Sequence, residues 1–285
     1  MKTKKPNNNP ILFIDSGIGG LFYCVEFSKR NPNEAVCCLA DRLNFPYGPR
    51  GKDELCAILI PLIEKLLKSI NPKIIVIACN TAAISALNIL RSHYPGISFV
   101  GTVPAIKPAV IASKNKKIGI LGTARTIEDP YNQKLADEAV SNEDVNNENA
   151  GKCEIIAAAA PELVEFVEYR LDKADENEKI QIVRKYIDIF RAQKADALVL
   201  GCTHFLYLLD VFKKEAAPDI KVFDSLSGII KRIEFLLDDN SGAQRADSGF
   251  KPEHKFIITG DEPVQSVWKN RAEEARFKLS LLNEI

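Results

Sequence analysis

The sequence predicts an α/β protein of two similar lobes, each a mostly parallel sheet covered by helices. Three observations carry that expectation. Apolar runs of strand length are near-continuous rather than alternating, as strands buried on both faces require. Helix-period stretches separate them, notably residues 55–67, 180–190 and 226–237. Two strand-exit patterns then repeat loosely between the halves: ILFIDSGIGG answers to KIGILGTART, and IIVIACNT answers to ALVLGCTH. Superposing these pairs sets Ser16 opposite Thr123 and Cys79 opposite Cys202.

Taken in order, the run at 11–14 is followed by Asp15, Ser16 and a glycine-rich helix start at Gly17, Gly19 and Gly20. Val36–Ala40 reads as the next strand, and 55–67 as an amphipathic helix. The run at 74–78 ends at Cys79, Asn80 and Thr81, and the run at 118–121 leads to Thr123 and Thr126. An Asn-rich polar stretch at 141–151 reads as a surface loop. After it come a strand at 155–158, the helix at 180–190, and a strand at 197–200 that ends at Cys202, Thr203 and His204. A short strand at 222–223, a helix at 226–237, a loop at 238–252 carrying Gly242, Gly249 and Pro252, and a strand at 256–258 complete the pattern.

Composition narrows the function. The chain has 285 residues, 46% of them hydrophobic, enough for a large core and two domains. Its 38 basic and 38 acidic side chains cancel, so no bulk field attracts nucleic acid or an anionic membrane. Lys2, Lys4 and Lys5 precede only four apolar residues before Asp15, too few for a signal peptide, and no run approaches the ~20 apolar residues of a membrane span. The expected compartment is the cytoplasm. Seven cysteines, odd in number and irregular in spacing, are expected to be thiols, with Cys24, Cys37, Cys38, Cys56 and Cys153 serving as small buried hydrophobes.

In open α/β sheets, ligands sit beyond the carboxyl ends of strands, and every polar cluster above falls there. Backbone N–H groups at the following helix starts favour a carboxylate and lower a thiol's pKa. The alternative reading makes Asp15, Ser16, Asn80 and Thr203 ordinary helix N-caps. Gly17, Gly19 and Gly20 lack the third glycine of GxGxxG, and no phosphate-loop lysine follows, so a nucleotide is not indicated. The glycines read as letting backbone pass close to a small ligand. Cys202 and His204 lack the paired spacing of a zinc site, and His93 and His254 have no supporting neighbours. Two like thiols on opposite sides of a substrate carbon suit inversion of a stereocentre: one removes a proton and the other returns one. Arg125, lying between Thr123 and Thr126, reads as a solvated turn residue.

The segments IDSGIGG, FPYG, ACNTA, LGTARTI and GCTHF, in this order, resemble the cofactor-independent glutamate racemases of the aspartate/glutamate racemase superfamily. The similarity runs from residue 11 to about 266. It implies two pseudo-symmetric lobes with the active site in the cleft between them, the first lobe taking 1–103 plus 217–285 and the second 104–216. Pro104, Pro108 and Pro218 lie near the crossings, and residues 1–10, without a counterpart in the family, are expected to be disordered.

By the same resemblance, Cys79 and Cys202 match the catalytic pair, with Asp15 beside the first and His204 beside the second. APELVEFVE places Glu168 in register as the acid near His204, with Glu165 as fallback, although Ala160, Glu162, Glu165 and Phe166 depart from the family pattern. Asp15, Ser16, Pro46, Tyr47, Gly48, Asn80, Thr81, Thr123, Thr126, Thr203 and His204 match substrate-binding positions. The implied activity is interconversion of L- and D-glutamate without cofactor or metal, supplying D-glutamate for peptidoglycan, with a small-molecule substrate and a homodimer as the expected assembly. Two rivals remain: a sister enzyme acting on aspartate, a hydantoin or maleate, and a non-catalytic amino-acid-binding module.

Overall fold

The computed structural model describes residues 5–143, 152–239, 243–261 and 263–285. It divides into two compact units, Met1–Thr102 with Leu226–Ile285, and Val103–Ser225. The first unit opens with β1 (Ile11–Asp15), α1 (Gly19–Arg30), β2 (Val36–Ala40), α2 (Lys52–Ser69), β3 (Ile74–Ile77), α3 (Asn80–His93) and β4 (Ser98–Gly101). The second carries α4 (Ile106–Ala112), β5 (Lys117–Gly122), α5 (Ala124–Ile127), α6 (Tyr131–Glu143), β6 (Glu154–Ala159), α7 (Pro161–Tyr169), α8 (Glu176–Ala192), β7 (Ala197–Gly201), α9 (Leu209–Ala216) and β8 (Lys221–Phe223). The returning chain adds α10 (Leu226–Asp238), β9 (Lys255–Ile258), α11 (Ser266–Glu274) and β10 (Lys278–Leu281) to the first unit.

The first unit's sheet has the order β10-β9-β2-β1-β3-β4, and the second unit's has β6-β5-β7-β8. Every pairing in both is parallel. Parallel pairing requires crossovers, and these place helices over the faces. Both faces of β1, β2, β3 and β7 are therefore buried along their whole length, which accounts for their unbroken apolar sequences. In the first unit, Leu12, Ile14, Leu39, Ile75 and Ile77 pack with Leu55, Leu59 and Ile63 of α2 and with Ala82, Ala86 and Leu90 of α3. In the second, Ile118, Ile120, Ala197 and Val199 pack with Ala109 and Val110 of α4 and with Leu135, Ala136 and Ala139 of α6.

Three expectations are corrected. The second crossing lies after Ser225 rather than at 216, because β8 pairs with β7 and holds residues 217–225 in the second unit. Asn7 and Asn8 are ordered against the returning chain. Asn7 N–H donates to the Arg245 carbonyl at 3.1 Å, and Asn8 Oδ1 accepts from Asp247 N–H at 3.0 Å. The buried Lys73 ammonium supports that join, donating to the carbonyls of Asn7 (2.6 Å) and Gln244 (2.9 Å) while paired with buried Glu34 at 2.6 Å. Of the tail expected to be disordered, residues 1–4 lie outside the described residues. So do 144–151 of the predicted Asn-rich loop, whose first residues instead finish α6, and residues 240–242 of the loop at 238–252.

Candidate active site

Both sequence-predicted thiols stand where a parallel strand gives way to a helix. Cys79 follows β3 and occupies the N-cap position of α3, with extended φ and ψ of −71° and 121°. Cys202 follows β7 and occupies the same position at the start of a 3-10 turn, Thr203–Leu208, with φ and ψ of −144° and 138°. Neither sulfur caps its helix. Asp15, Ser16, Asn80 and Thr203, read from sequence as possible caps, do not hold N-cap positions; among the predicted site residues only Thr123 caps a helix, its Oγ1 accepting from Thr126 N–H at 3.3 Å. All seven cysteines are buried thiols outside any disulfide.

In the first unit, the exits of β1, β2 and β3 bring Asp15, Tyr47 and Cys79 into one electrostatic neighbourhood. Asp15 is fully buried, and its Oδ1 accepts from Gly17 N–H at 3.1 Å and from Ser16 Oγ at 3.4 Å. Asp41 N–H donates to the Asp15 carbonyl and Ala78 N–H to the Ile14 carbonyl, both at 2.8 Å, so the strand exits are stitched together. Tyr47 is fully buried; burial first, and then the carboxylate of Asp41 beside it, push its hydroxyl well above the ordinary range, with Cys79 and Asp15 adding to the effect. It remains a neutral hydrogen-bond donor, giving its proton to Asp41 Oδ2 at 2.6 Å. Asn80 and Thr81 are buried in the first turn of α3, while Pro46 is exposed and Gly48 half-buried.

The role expected for the glycines is revised at Gly20. A Cβ there would lie 2.7 Å from Asp15 Cβ and 3.5 Å from Ala78 Cβ, so this glycine makes room for the strand exits rather than for a ligand. Gly20→Ala must displace Asp15 or the start of α1, and a loss of ~1–3 kcal/mol in stability is expected from such overpacking. Urea unfolding measures it; an unchanged midpoint would mean that the helix shifts without cost.

In the second unit, the exits of β5 and β7 and the helix α7 meet. His204 Nδ1 lies 3.6 Å from Cys202 Sγ and 3.4 Å from Thr203 Oγ1, while His204 Nε2 lies 2.6 Å from Glu168 Oε1. His204 and Glu168 are almost fully buried, at 2% and 1% exposure. Burial alone would hold the imidazole neutral, but its contacts with Cys202 and Glu168 outweigh that and raise its pKa well above the ordinary range. Glu168 lies on the buried face of α7 with Leu163, Val164 and Val167, whereas Glu165 is exposed on the other face. Pro161 stands in the first turn of α7 and Ala160 N–H bonds to the Gly122 carbonyl at 2.9 Å, so the departures at Ala160 and Glu162 leave the helix start intact. Thr126 is buried, its Oγ1 3.0 Å from that of Thr123. Its methyl covers Gly122 and Gly201 at the two strand exits, where added Cβ atoms would meet Thr126 carbons at 3.4 Å. Arg125, expected to be solvated, is half-buried, and its Nε is enclosed without a hydrogen-bond partner.

Two features escaped the sequence reading. Asp41, fully buried at the exit of β2, gathers side chains from both chain segments of the first unit, and Thr259 at the exit of β9 is one of them. The signal that would have found them is the one used elsewhere, a polar residue just past an apolar strand. Among the described residues no group of three or more His, Cys, Asp or Glu side chains is gathered as a metal site, and no helix is long and apolar enough to cross a membrane.

The family described as Asp/Glu/hydantoin racemase matches residues 29–232. The chain is 35% identical over 267 residues to the glutamate racemase of Shewanella piezotolerans, covering 94% of each. It is 34% identical to that of Treponema pallidum, covering 77% of this chain and 78% of the relative. Among solved structures, the Escherichia coli glutamate racemase in complex with L-glutamate and the activator UDP-MurNAc-ala superposes with a TM-score of 0.79 at 26% identity, covering 96% of this chain and 97% of that one. Isoform RacE1 of the Bacillus anthracis glutamate racemase gives 0.76 at 28% identity, with 96% of each chain covered.

Proposed function

Because the chain belongs to the Asp/Glu/hydantoin racemase family, we propose that it is an amino-acid racemase that interconverts L- and D-glutamate by transferring protons between two thiols and Cα. The observation that carries the reading is that each unit ends a buried parallel strand in a cysteine with its own titratable partner. Cys202 has the His204–Glu168 chain, and Cys79 has Asp15 at the neighbouring strand exit. Glutamate, rather than another amino acid, is supported by the shared name of relatives that match nearly the whole chain.

In the direction from L to D, the Cys202 thiolate takes the Cα proton and the Cys79 thiol supplies one to the opposite face; the reverse direction exchanges their roles. Each thiol must alternate between base and acid, and each therefore needs a partner that stabilises either state without fixing it. Asp15 serves Cys79, and His204, oriented by Glu168, serves Cys202. Backbone N–H groups at the helix starts hold the substrate carboxylates, the side-chain oxygens of Ser16, Asn80, Thr81, Thr123, Thr126 and Thr203 supply the further contacts to its carboxylates and ammonium, and Pro46, Tyr47 and Gly48 add the contacts of the 46–48 loop. The reaction's setting is the cytoplasm, with D-glutamate supplied to peptidoglycan synthesis and a homodimer as the working assembly.

The test is incorporation of solvent deuterium at Cα during conversion of either glutamate enantiomer by chelator-treated protein free of pyridoxal phosphate. Full activity with one deuterium gained per inversion is expected. A strict requirement for pyridoxal phosphate would overturn the mechanism. Faster turnover of aspartate or a hydantoin would move the protein to a sister activity, and binding without exchange would make it an amino-acid-binding module.

A further inference from the structure

We propose that Thr259, brought in by the returning chain, is a positioning residue that sets the substrate loop at 42–50, acting through the buried carboxylate of Asp41. Its single hydroxyl has two duties. Oγ1 donates to Asp41 Oδ1 at 2.6 Å and accepts from Leu43 N–H at 3.0 Å. Thr259 N–H also bonds to the Ala40 carbonyl at 3.2 Å, carrying the β2–β9 ladder one residue past the end of β9. At Gly260 the backbone turns left-handed, with φ of 88°, and the chain departs from the sheet.

Asp41 is the hub that makes this contact matter. A fully buried carboxylate must be satisfied by hydrogen bonds, and apart from Thr259 the side-chain donors here come from the loop itself. Tyr47 Oη donates to Oδ2 at 2.6 Å, and Asn44 Nδ2 reaches Oδ2 at 2.9 Å and Oδ1 at 3.1 Å. Arg50 Nε then donates to the Asn44 carbonyl at 2.9 Å and Arg50 N–H to the Tyr47 carbonyl at 3.0 Å. On the sheet side, Asp41 N–H donates to the carbonyl of Asp15. The loop carrying Pro46, Tyr47 and Gly48 is thus oriented by one carboxylate, and Thr259 fixes one of that carboxylate's oxygens while anchoring the loop's first backbone N–H after Arg42.

The proposal rests on the reading above, in which that loop touches substrate. A loop contact is felt by bound substrate and transition state alike, so its loss raises KM more than it lowers kcat. Thr259→Val keeps the shape and removes the hydroxyl; Thr259→Ser keeps the hydroxyl and removes the methyl. Loss of a hydrogen bond to a charged group predicts a roughly tenfold higher KM for both enantiomers in the valine variant, with kcat little changed and the serine variant near wild type. A role in packing alone gives the reverse order: serine impaired by its lost methyl, and valine close to wild type. That order would overturn the proposal. Asn44→Ala, at a half-buried loop position, decides the matter if the valine variant does not fold: its KM must rise, and an unchanged KM overturns the proposal. Wild-type protein that neither binds nor turns over glutamate would instead refute the racemase reading itself.

Discussion

Serine in place of Cys79 or Cys202 is expected to slow racemisation by roughly two to four orders of magnitude, the span associated with loss of a positioned acid–base group. Oxygen for sulfur is a small change in shape, but a thiol with an ordinary pKa near ~8.5 can hold or release a proton around neutrality and an alkyl hydroxyl cannot. Neither sulfur caps the helix behind it, so the serine variants are expected to fold normally. The diagnostic result is not the loss alone. With one thiol left, the enzyme can still remove and return a proton on one face of Cα, exchanging hydrogen without inversion. Cys79→Ser should therefore wash solvent deuterium into L-glutamate and leave it L, and Cys202→Ser should do the same to D-glutamate. Proton magnetic resonance with chiral analysis reads both. Near-normal racemisation by Cys79→Ser, or exchange of both enantiomers by either variant, would refute the two-base assignment.

The features of the fold that were legible in the sequence were those written in buried side chains. β1, β2, β3 and β7 are buried on both faces, so their apolar runs had no polar interruptions to confuse the reading. β4 and β10 were missed, and both are sheet edges: SFVG and KLSL are only partly buried, SFVG carries just two adjacent apolar residues, and KLSL alternates over only four residues, too short a run to stand out. The short helix α4 was hidden because Pro104 precedes it and Pro108 lies in its first turn, so that turn chemistry dominated the reading.

At the candidate site, sequence separation explains what stayed hidden. Cys202 and His204 are two residues apart, and their proximity could be read from GCTH. Glu168 needed the register of α7, whose apolar face puts it inward and Glu165 outward. Asp41 and Thr259 are 218 residues apart, and only the β2–β9 pairing puts their strand exits side by side. Arg125 was misjudged for a related reason: a charged residue in a tight turn suggests solvent, whereas α5 lies low over the ends of β5 and β6 and half-buries it.

Replacing His204 by Asn is expected to lower kcat roughly a hundredfold, and Glu168→Gln by less, because Glu168 acts only through the imidazole. The two side chains form a buried pair at 2.6 Å with almost no exposure, so removing the imidazole also breaks a buried ion pair, at a cost of about 3–5 kcal/mol where such pairs are broken. Combining Glu168→Gln with His204→Asn removes the buried charge together with its lost imidazole partner. The double variant should therefore be more stable than His204→Asn alone and no slower, a non-additivity that two independent contributions cannot produce. The pH dependence follows from the sign of the shift. Glu168 helps to raise the pKa of His204, so its conversion to the neutral amide lowers that pKa and moves the alkaline limb of kcat/KM to lower pH. The same limb must move in both directions of reaction, since enantiomers have equal free energies and their kcat/KM values are bound to be equal at every pH. An alkaline limb that stays in place in Glu168→Gln, together with additive losses in the double variant, would remove the imidazole–carboxylate chain from the mechanism.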